Sequence, residues 1–154
     1  MKIAIVAIGR LGRGPEAELV KLYVERATAA GRALGLGPVE VAEVEARKPG
    51  KAAEAEALRS HLEGAHVVAC DEHGRALASR ALAEQIGKLR DDGARKLAFV
   101  IGGADGLDAS ILGAAQEKLA FGPQTWPHAL ARVMLTEQVY RAVSILAGSP
   151  YHRD

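Results

Sequence analysis

The sequence has one cysteine, few aromatic residues and almost no excess of either charge. Of its 154 residues, 4% are aromatic, and 20 lysines and arginines face 19 acidic residues, for a formal net charge of +1. A single cysteine excludes an internal disulfide and a four-thiolate zinc site, and it is typical of proteins of the reducing cytosol. The near-neutral charge argues against a protein that binds bulk nucleic acid through a strong basic excess.

Long hydrophobic runs are absent as well. The first apolar run, Ile3 to Ile8, is too short for a membrane-spanning helix or a normal signal-peptide core. Arg10 and Arg13 follow it, where a cleavage site would need small residues. We therefore expect a soluble, cytoplasmic protein without membrane contact. With 49% apolar residues and mixed charges, residues 1–154 are expected to form a single domain around one core.

Short apolar runs alternate with longer amphipathic stretches, and this alternation indicates an α/β fold whose parallel sheet is flanked by helices. Asp71 to Gly74 has the composition of a turn, and Ser79 and Asp108 are candidate helix caps. Strands are predicted at residues 3–8, 39–44, 66–70, 97–101 and 118–121. Helices are predicted at 15 to 31 or 35, 51–63, 79–93, 108–115 and 127–146.

The first glycine cluster, Gly9 to Gly14, follows the first predicted strand. Its spacing, G-x-x-G-x-G, is the reverse of the dinucleotide-binding fingerprint, and no Walker lysine follows. A nucleotide-dependent oxidoreductase is therefore disfavoured, and the cluster is interpreted as a flexible loop. Its two arginines, Arg10 and Arg13, remain available to an external polyanion.

Three further segments are predicted to meet at one edge of the sheet, because the carboxyl ends of parallel strands are where ligands bind. They are Cys70 to Gly74, Ile101 to Leu107 and Phe121 to His128. The third holds the only tryptophan and two prolines, which suits a rigid loop that presents free backbone N–H groups to an adenine. The alternatives are a tight turn for the glycine segment and a rigid connector with a buried Trp126 for the third.

The last predicted helix carries Glu137 and Arg141 four residues apart in an otherwise apolar segment. The pair is either a surface ion pair or part of a face that packs against a second subunit, and the apolar surroundings favour the second subunit. The chain then ends in a tyrosine, a histidine and an arginine, a set able to stack on a base, take a proton and hold a phosphate. Frayed ends are the usual state of such a tail.

Metal and hydrolase chemistry are both disfavoured. Cys70 and His73 are only two potential ligands, and no second pair lies near them in the sequence, so no metal site is predicted. Ser149 and His152 lack an orienting acid and an evident oxyanion hole.

Four motifs in order along the chain carry a resemblance to a known family. They are FVIGGADG at 99–106, TWPHALARV at 125–133, EQVYRA at 137–142 and PYHRD at 150–154. Together with the chain length, they resemble the RlmH family of ribosomal RNA large-subunit pseudouridine N3-methyltransferases, in the SPOUT class of knotted methyltransferases. Ala104 stands where that family often has proline, and Cys70 where leucine is common.

The resemblance implies a fold and a cofactor. It implies a C-terminal trefoil knot, a homodimer, and S-adenosylmethionine as the methyl donor. The residues implied to bind the cofactor are Cys70, Gly102, Gly103, Phe121, Gly122, Pro123, Gln124, Thr125 and Trp126.

The resemblance also implies a reaction, methylation of N3 of a pseudouridine in 23S ribosomal RNA of the large subunit or the assembled ribosome. The alternative is a non-catalytic nucleotide-binding or ribosome-binding α/β module. Arg132, Glu137 and Arg141 either act in catalysis together with the tail residues or order the tail. Basic residues in two loops either contact RNA or form ordinary solvated surface. The catalytic candidates are Tyr151, His152, Arg153, Arg132, Glu137 and Arg141, and the RNA-binding candidates are Arg10, Arg13, Arg47, Lys48 and Lys51.

Overall fold

A computed structural model describes residues 1–153, in which five parallel strands form one sheet with the order β2-β1-β4-β3-β5. Asp154, the last residue of the tail motif, lies outside the described residues. The 3₁₀ turn Arg32–Leu34 follows the first helix. The strands are β1 (Lys2–Ile8), β2 (Val39–Val44), β3 (His66–Ala76), β4 (Lys96–Ile101) and β5 (Glu117–Ala120), and the helices are α1 (Pro15–Gly31), α2 (Lys51–Leu62), α3 (Ser79–Asp91), α4 (Ala109–Ala114) and α5 (His128–Leu146).

The two central strands, β1 and β4, are buried along nearly their whole length. Because both sheet faces are covered by helices, these strands are continuously apolar rather than alternating. Side chains such as Ile5 and Phe99 point to the face covered by α1, α3 and α5, and Val6 and Val100 point to the face covered by α2 and α4. The predicted α/β fold with a parallel sheet between helices is confirmed.

Helix α5 crosses the first of these faces and packs against both α1 and α3. Its buried residues include Leu135, Val139 and Val143, which face the sheet. The chain thus leaves β5 at one edge of the sheet and returns across the face to lie against α1, the helix that connects β1 with β2. This return places the start of α5 beside the carboxyl ends of the strands.

The turn predicted at Asp71 to Gly74 is wrong, because β3 continues to Ala76. The strand pairs with β5 up to Cys70, shifts register, and pairs again from Arg75. A Cβ atom on Gly74 would lie 2.7 Å from the backbone of Leu119, so the missing side chain lets the two strands approach closely. The polar composition that suggested a turn belongs to this irregular strand.

The two predicted helix caps had different outcomes. Asp108 caps α4 as predicted, because its Oδ1 accepts a hydrogen bond from the Ser110 amide at 2.8 Å. Ser79 does not cap α3: the cap residue is Ala78, and the Ser79 hydroxyl donates to Oε1 of Gln138 at 2.7 Å. Ser79 therefore ties α3 to α5. Within residues 1–153, no helix is both long and apolar enough to cross a membrane.

Candidate active site

A cleft of about 460 Å³ opens at the carboxyl edge of the sheet. Its walls come from the middle of β3, the loop after β4 and the segment after β5, with the first turn of α5 closing one side. The three segments predicted to meet at one sheet edge therefore do so. Of the nine predicted cofactor-binding residues, Pro123 does not line the cleft and the others do: Cys70, Gly102, Gly103, Phe121, Gly122, Gln124, Thr125 and Trp126.

The loop after β4 forms a wall made mainly of backbone. The Gly106 amide donates to the carbonyl of Gly103 at 3.0 Å, which folds the loop back on itself. A Cβ atom on Gly102 would lie 2.6 Å from the Gly106 carbonyl carbon, closer than side chains are found to approach. Gly102 therefore has to be glycine for this wall to keep its shape.

The segment after β5 is held by its own tryptophan. The indole Nε1 of Trp126 donates to the carbonyl of Phe121 at 3.1 Å, and the Thr125 hydroxyl donates to Glu72 at 3.4 Å. The Trp126 side chain is 41% exposed, so the alternative that it packs in the core is wrong. The aromatic ring lies at the cleft with its only polar atom already satisfied.

Cys70 forms part of the cleft wall as a neutral thiol. Burial raises the pKa of its thiol to about 12, because the thiolate would lose its hydration there. Cys70 therefore offers an apolar surface rather than a nucleophile. Nδ1 of the exposed His73 ring lies 3.3 Å from Oδ1 of Asp71. Residues 1–153 contain no cluster of three side chains able to share a metal ion.

The C-terminal tail is docked on the second half of α5. The hydroxyl of Tyr151 donates to Oε1 of Glu137 at 3.0 Å, and its ring centroid lies 4.5 Å from that of Tyr140 and 4.9 Å from the Arg141 guanidinium carbon. Arg141 pairs with Glu137, and its Nη1 lies 3.4 Å from Nδ1 of His152. Burial, followed by the hydrogen bond to Glu137, raises the pKa of Tyr151 above its usual value. Glu137 and Arg141 therefore contact the tail, and whether they order it or take part in catalysis stays a prediction.

The tail and the cleft of one chain use opposite ends of α5. The cleft is lined by His128 and Ala131, in the first turn, while the tail is held by Glu137 and Arg141. Six positions along α5 separate Ala131 from Glu137, roughly 9 Å for a helix that rises 1.5 Å per residue. None of the described tail residues, 150–153, lines the cleft of its own chain.

Arg132 is fully buried and points away from the tail. Its Nη1 donates to Oε1 of Glu43 at 2.8 Å, and its Nη2 donates to the carbonyls of Ile8 and Gly9 at 3.1 and 3.0 Å. Its hydrogen bonds therefore go to β1, β2 and the residue after β1 rather than to the described tail residues, and its predicted role in the site stays a prediction. Burial lowers the pKa of the Arg132 guanidinium, and the Glu43 carboxylate opposes that shift.

The five predicted RNA-binding residues are exposed, and they lie in two neighbouring loops and at the first residue of α2, at the same sheet edge as the cleft. One loop joins β1 to α1, and the other joins β2 to α2, whose first residue lines the cleft. Arg10 forms an ion pair with Glu45 at 3.0 Å. The exposed residues are Arg10, Arg13, Arg47, Lys48 and Lys51.

Comparison with known proteins assigns the chain to a family. The model of a family described as "Predicted SPOUT methyltransferase" matches residues 1–152. The chain belongs to the SPOUT methyltransferase family. It is thus a methyltransferase, and the cleft at the carboxyl edge is the candidate site of methyl transfer.

Curated relatives within the SPOUT family match the chain along its whole length. A protein of Phenylobacterium zucineum is 78% identical over 100% of both chains, and one of Caulobacter vibrioides is 70% identical over 100% of this chain and 99% of its own. Both are named Ribosomal RNA large subunit methyltransferase H. The resemblance in the four sequence motifs is therefore confirmed.

Two solved structures share the fold at low identity. A probable methylase family protein of Haemophilus influenzae has a TM-score of 0.54 at 16% identity, over 99% of this chain and 70% of its own. A probable methyltransferase of Bordetella pertussis has a TM-score of 0.54 at 17% identity, over 92% of this chain and 96% of its own. At this identity, the similarity supports the SPOUT fold alone.

Motif reasoning missed several residues that shape the site. Glu43, which holds Arg132, lies in a short strand of alternating polar residues and looks like ordinary surface in the sequence. Tyr140 belongs to the EQVYRA motif but was not among the predicted site residues, although its ring lies against the Tyr151 ring. Ala131 sits beside Arg132 and lines the cleft, a proximity that only the path of α5 reveals.

Proposed function

We propose that the chain transfers a methyl group from S-adenosylmethionine to N3 of a pseudouridine in 23S ribosomal RNA, in the large subunit or the assembled ribosome. One observation carries the proposal: the cleft lies between the motif segments of a SPOUT methyltransferase whose relatives, 70–78% identical, are named ribosomal RNA large subunit methyltransferases. The pseudouridine and its N3 atom come from the resemblance in the four motifs.

The cleft fits the proposed cofactor. Its volume of about 460 Å³ lies in the usual range of small-molecule sites, and Ile101, Leu107 and Leu119 give it apolar walls. Gly102 and Gly103 line the cleft, and the absence of a side chain on Gly102 makes room for the Gly106 backbone. When bound, S-adenosylmethionine supplies a methyl group that its sulfonium has already activated. The residues proposed to hold it are Cys70, Gly102, Gly103, Phe121, Gly122, Pro123, Gln124, Thr125 and Trp126.

The trefoil knot of the SPOUT class is part of the proposal. Its support is the path of the chain after β5: this segment lies against the loop after β4 at the cleft, and α5 then crosses the sheet face to reach α1. A knot made by threading residues 121–127 beneath a preceding loop would account for the close approach of these segments. Knots are rare exceptions among protein folds.

We also propose that the working unit is a homodimer in which each tail serves the other subunit's cleft. The tail is docked roughly 9 Å along α5 from the nearest cleft residue of that helix, as estimated from the helical rise, and the described tail residues do not line the cleft of their own chain. Exposed apolar side chains lie on α1 and at the start of α5, namely Leu19, Leu22 and Leu130, and they offer a surface for a second copy. The composite site would thus need both chains.

The tail residues then take separate roles. The proton on N3 must leave before or during attack, and His152, held by Arg141, is proposed to accept it. Tyr151 is proposed to anchor the tail rather than act as a base, because its raised pKa keeps the phenol protonated. Arg153 is exposed and is proposed to stabilise a phosphate or the negative charge that develops on the base.

RNA contact is assigned to the exposed basic loops. Three of their cations, Arg13, Arg47 and Lys48, have no ion-pair partner among residues 1–153 and are available to phosphates. A near-neutral chain with such local patches would bind bulk RNA weakly and depend on the shape of an assembled target. Lys51 links this surface to the cleft, which it also lines.

The decisive experiment is mass spectrometry of 23S RNA from ribosomes incubated with the purified protein and S-adenosylmethionine. One additional methyl on a pseudouridine is expected, and none when NAD replaces the methyl donor. Ribosome binding without any methyl gain would contradict the enzyme proposal and favour the binding-module alternative. Methylation of uridine or of another atom would contradict the assigned position.

A further inference from the structure

The strongest unassigned feature is the environment of Arg132. We propose that Arg132 and Glu43 are positioning residues for the RNA-binding loop between β1 and α1, and that Arg132 is not a catalytic residue. We call the pair, with the carbonyls of Ile8 and Gly9 that Arg132 binds, the loop anchor. This inference rests on the proposed function, because it assigns the loop to RNA.

The loop anchor joins three separate parts of the chain. Arg132 comes from α5, Glu43 from β2, and the two carbonyls from the end of β1 and the residue after it. Oε1 of Glu43 also accepts a hydrogen bond from the Leu11 amide at 3.0 Å, inside the loop. One carboxylate oxygen thus holds both the arginine and the loop backbone.

Its burial shows that Arg132 is tied to this position. The residue has no exposed surface, and its Nε has no hydrogen-bond partner among the described residues. A buried polar atom without a partner is unfavourable, and a simple apolar core residue would avoid that cost. The three hydrogen bonds donated by Nη1 and Nη2 offset the cost of the unpaired Nε only if the loop and Glu43 keep their positions.

The loop anchor connects the loop to the cleft because Arg132 directly follows Ala131, which lines the cleft. On its exposed side, the loop carries Arg10 and Arg13. The distance between the cleft and these cations is therefore fixed by the bonds of Arg132 rather than by the flexible glycines of the loop. A loop of this glycine content would otherwise sample many conformations.

The test compares two substitutions with the same change of charge. Glu43→Ala removes the loop anchor's acceptor, and Glu45→Ala removes the partner of Arg10 while leaving Glu43 in place. Both side chains are partly exposed, Glu43 at 35% and Glu45 at 58%, so neither change opens a core cavity. If net charge alone mattered, both variants would bind ribosomes slightly more tightly.

We expect Glu43→Ala to raise the KM for ribosomes about tenfold, the effect of losing hydrogen bonds to a charged group, with the cofactor Kd unchanged. Glu45→Ala should leave that KM unchanged or lower it. Glu43→Gln, which keeps an oxygen acceptor for the Leu11 amide, should recover most of the loss. The salt dependence of ribosome binding should become shallower in Glu43→Ala, because fewer phosphates are contacted.

Hydrogen exchange gives a readout that needs no RNA. The Leu11 amide should exchange faster in Glu43→Ala than in wild type or Glu45→Ala, while amides of β4 keep their protection. Equal KM values for the two alanine variants, or a matching rise in cofactor Kd, would overturn the positioning role. An inactive wild-type protein would instead contradict the proposed function and leave the exchange result to decide on the loop anchor.

Discussion

The cleft and the docked tail are held together by different kinds of contact. The cleft wall after β4 is backbone packed on backbone, with no space for a Cβ atom at Gly102. The tail is held mainly by side chains, through the hydrogen bond of Tyr151 with Glu137 and its ring contact with Arg141. Substitutions should therefore act by steric exclusion in the cleft and by loss of one chemical group at the tail.

The largest effect is expected from Gly102→Val. Its side chain would overlap the Gly106 backbone, displace the loop and abolish cofactor binding and methyl transfer together. Isothermal titration with S-adenosylmethionine measures the loss, and circular dichroism checks the fold. Gly113→Ala on α4 is the matched control, because a Cβ there meets no atom within 4 Å and alanine favours the helix. Normal cofactor affinity in Gly102→Val would contradict the assigned wall.

Removal of residues 151–154 should be almost as damaging to activity but not to binding. Methyl transfer should fall by about 10²–10⁴-fold, the usual contribution of a positioned acid or base, with the cofactor Kd unchanged. His152→Ala should reproduce most of that loss. Retained activity in the truncated protein would exclude catalysis by the tail.

Mixed dimers separate a tail that works across the dimer from one that works within its own chain. An equal mixture of Gly102→Val and tail-truncated chains, both inactive alone, should recover about a quarter of wild-type activity, because half of the dimers would hold one complete site. No recovery after verified subunit exchange would show that cleft and tail must belong to one chain.

A smaller effect is expected from Tyr151→Phe. The substitution keeps the ring contacts with Tyr140 and Arg141 and removes only the hydroxyl that donates to Glu137. The loss of one hydrogen bond, about 0.5–1.5 kcal/mol, predicts a decrease in kcat of two- to tenfold. The alkaline limb of the pH–rate profile should not move, because the raised pKa of Tyr151 keeps it neutral in wild type. A loss as large as that of His152→Ala would make Tyr151 the base.

The smallest effect on methyl transfer is expected from Cys70→Ala, because Cys70 offers an apolar surface rather than a nucleophile.

The thiol of wild-type Cys70 should also react slowly. Because burial raises the pKa of Cys70 to about 12, its thiolate is scarce at pH 8, and labelling by a disulfide reagent should be roughly 10³-fold slower than for an unfolded control. The labelling rate should keep rising above pH 9, where an ordinary thiol levels off, since a raised pKa moves deprotonation to higher pH. Rapid labelling at pH 8 would show that the thiol is not buried in the wall.

The sequence predicted most of the sheet and much of the cleft, for physical reasons that also explain the misses. The strands 3–8 and 97–101 are continuously apolar because helices cover both faces, and this pattern is visible in any single chain. The extension of β3 was missed because Asp71 to Gly74 pairs irregularly with β5 and keeps turn-like residues. The hydrogen bond between Arg132 and Glu43 was missed because the two residues are 89 positions apart in the sequence.

The length of α5 limits how the chain can vary. The helix meets the cleft near its start and holds the tail along its second half, so its residue count sets the angle and the separation between the two. Removing one residue between Arg132 and Glu137 would turn the tail's attachment by about 100° and shorten the separation by roughly 1.5 Å. Substitutions on the exposed side of this helix would be tolerated far better than a change of length. Helix α5 thus acts as a spacer whose number of residues matters more than the identities of those on its exposed side.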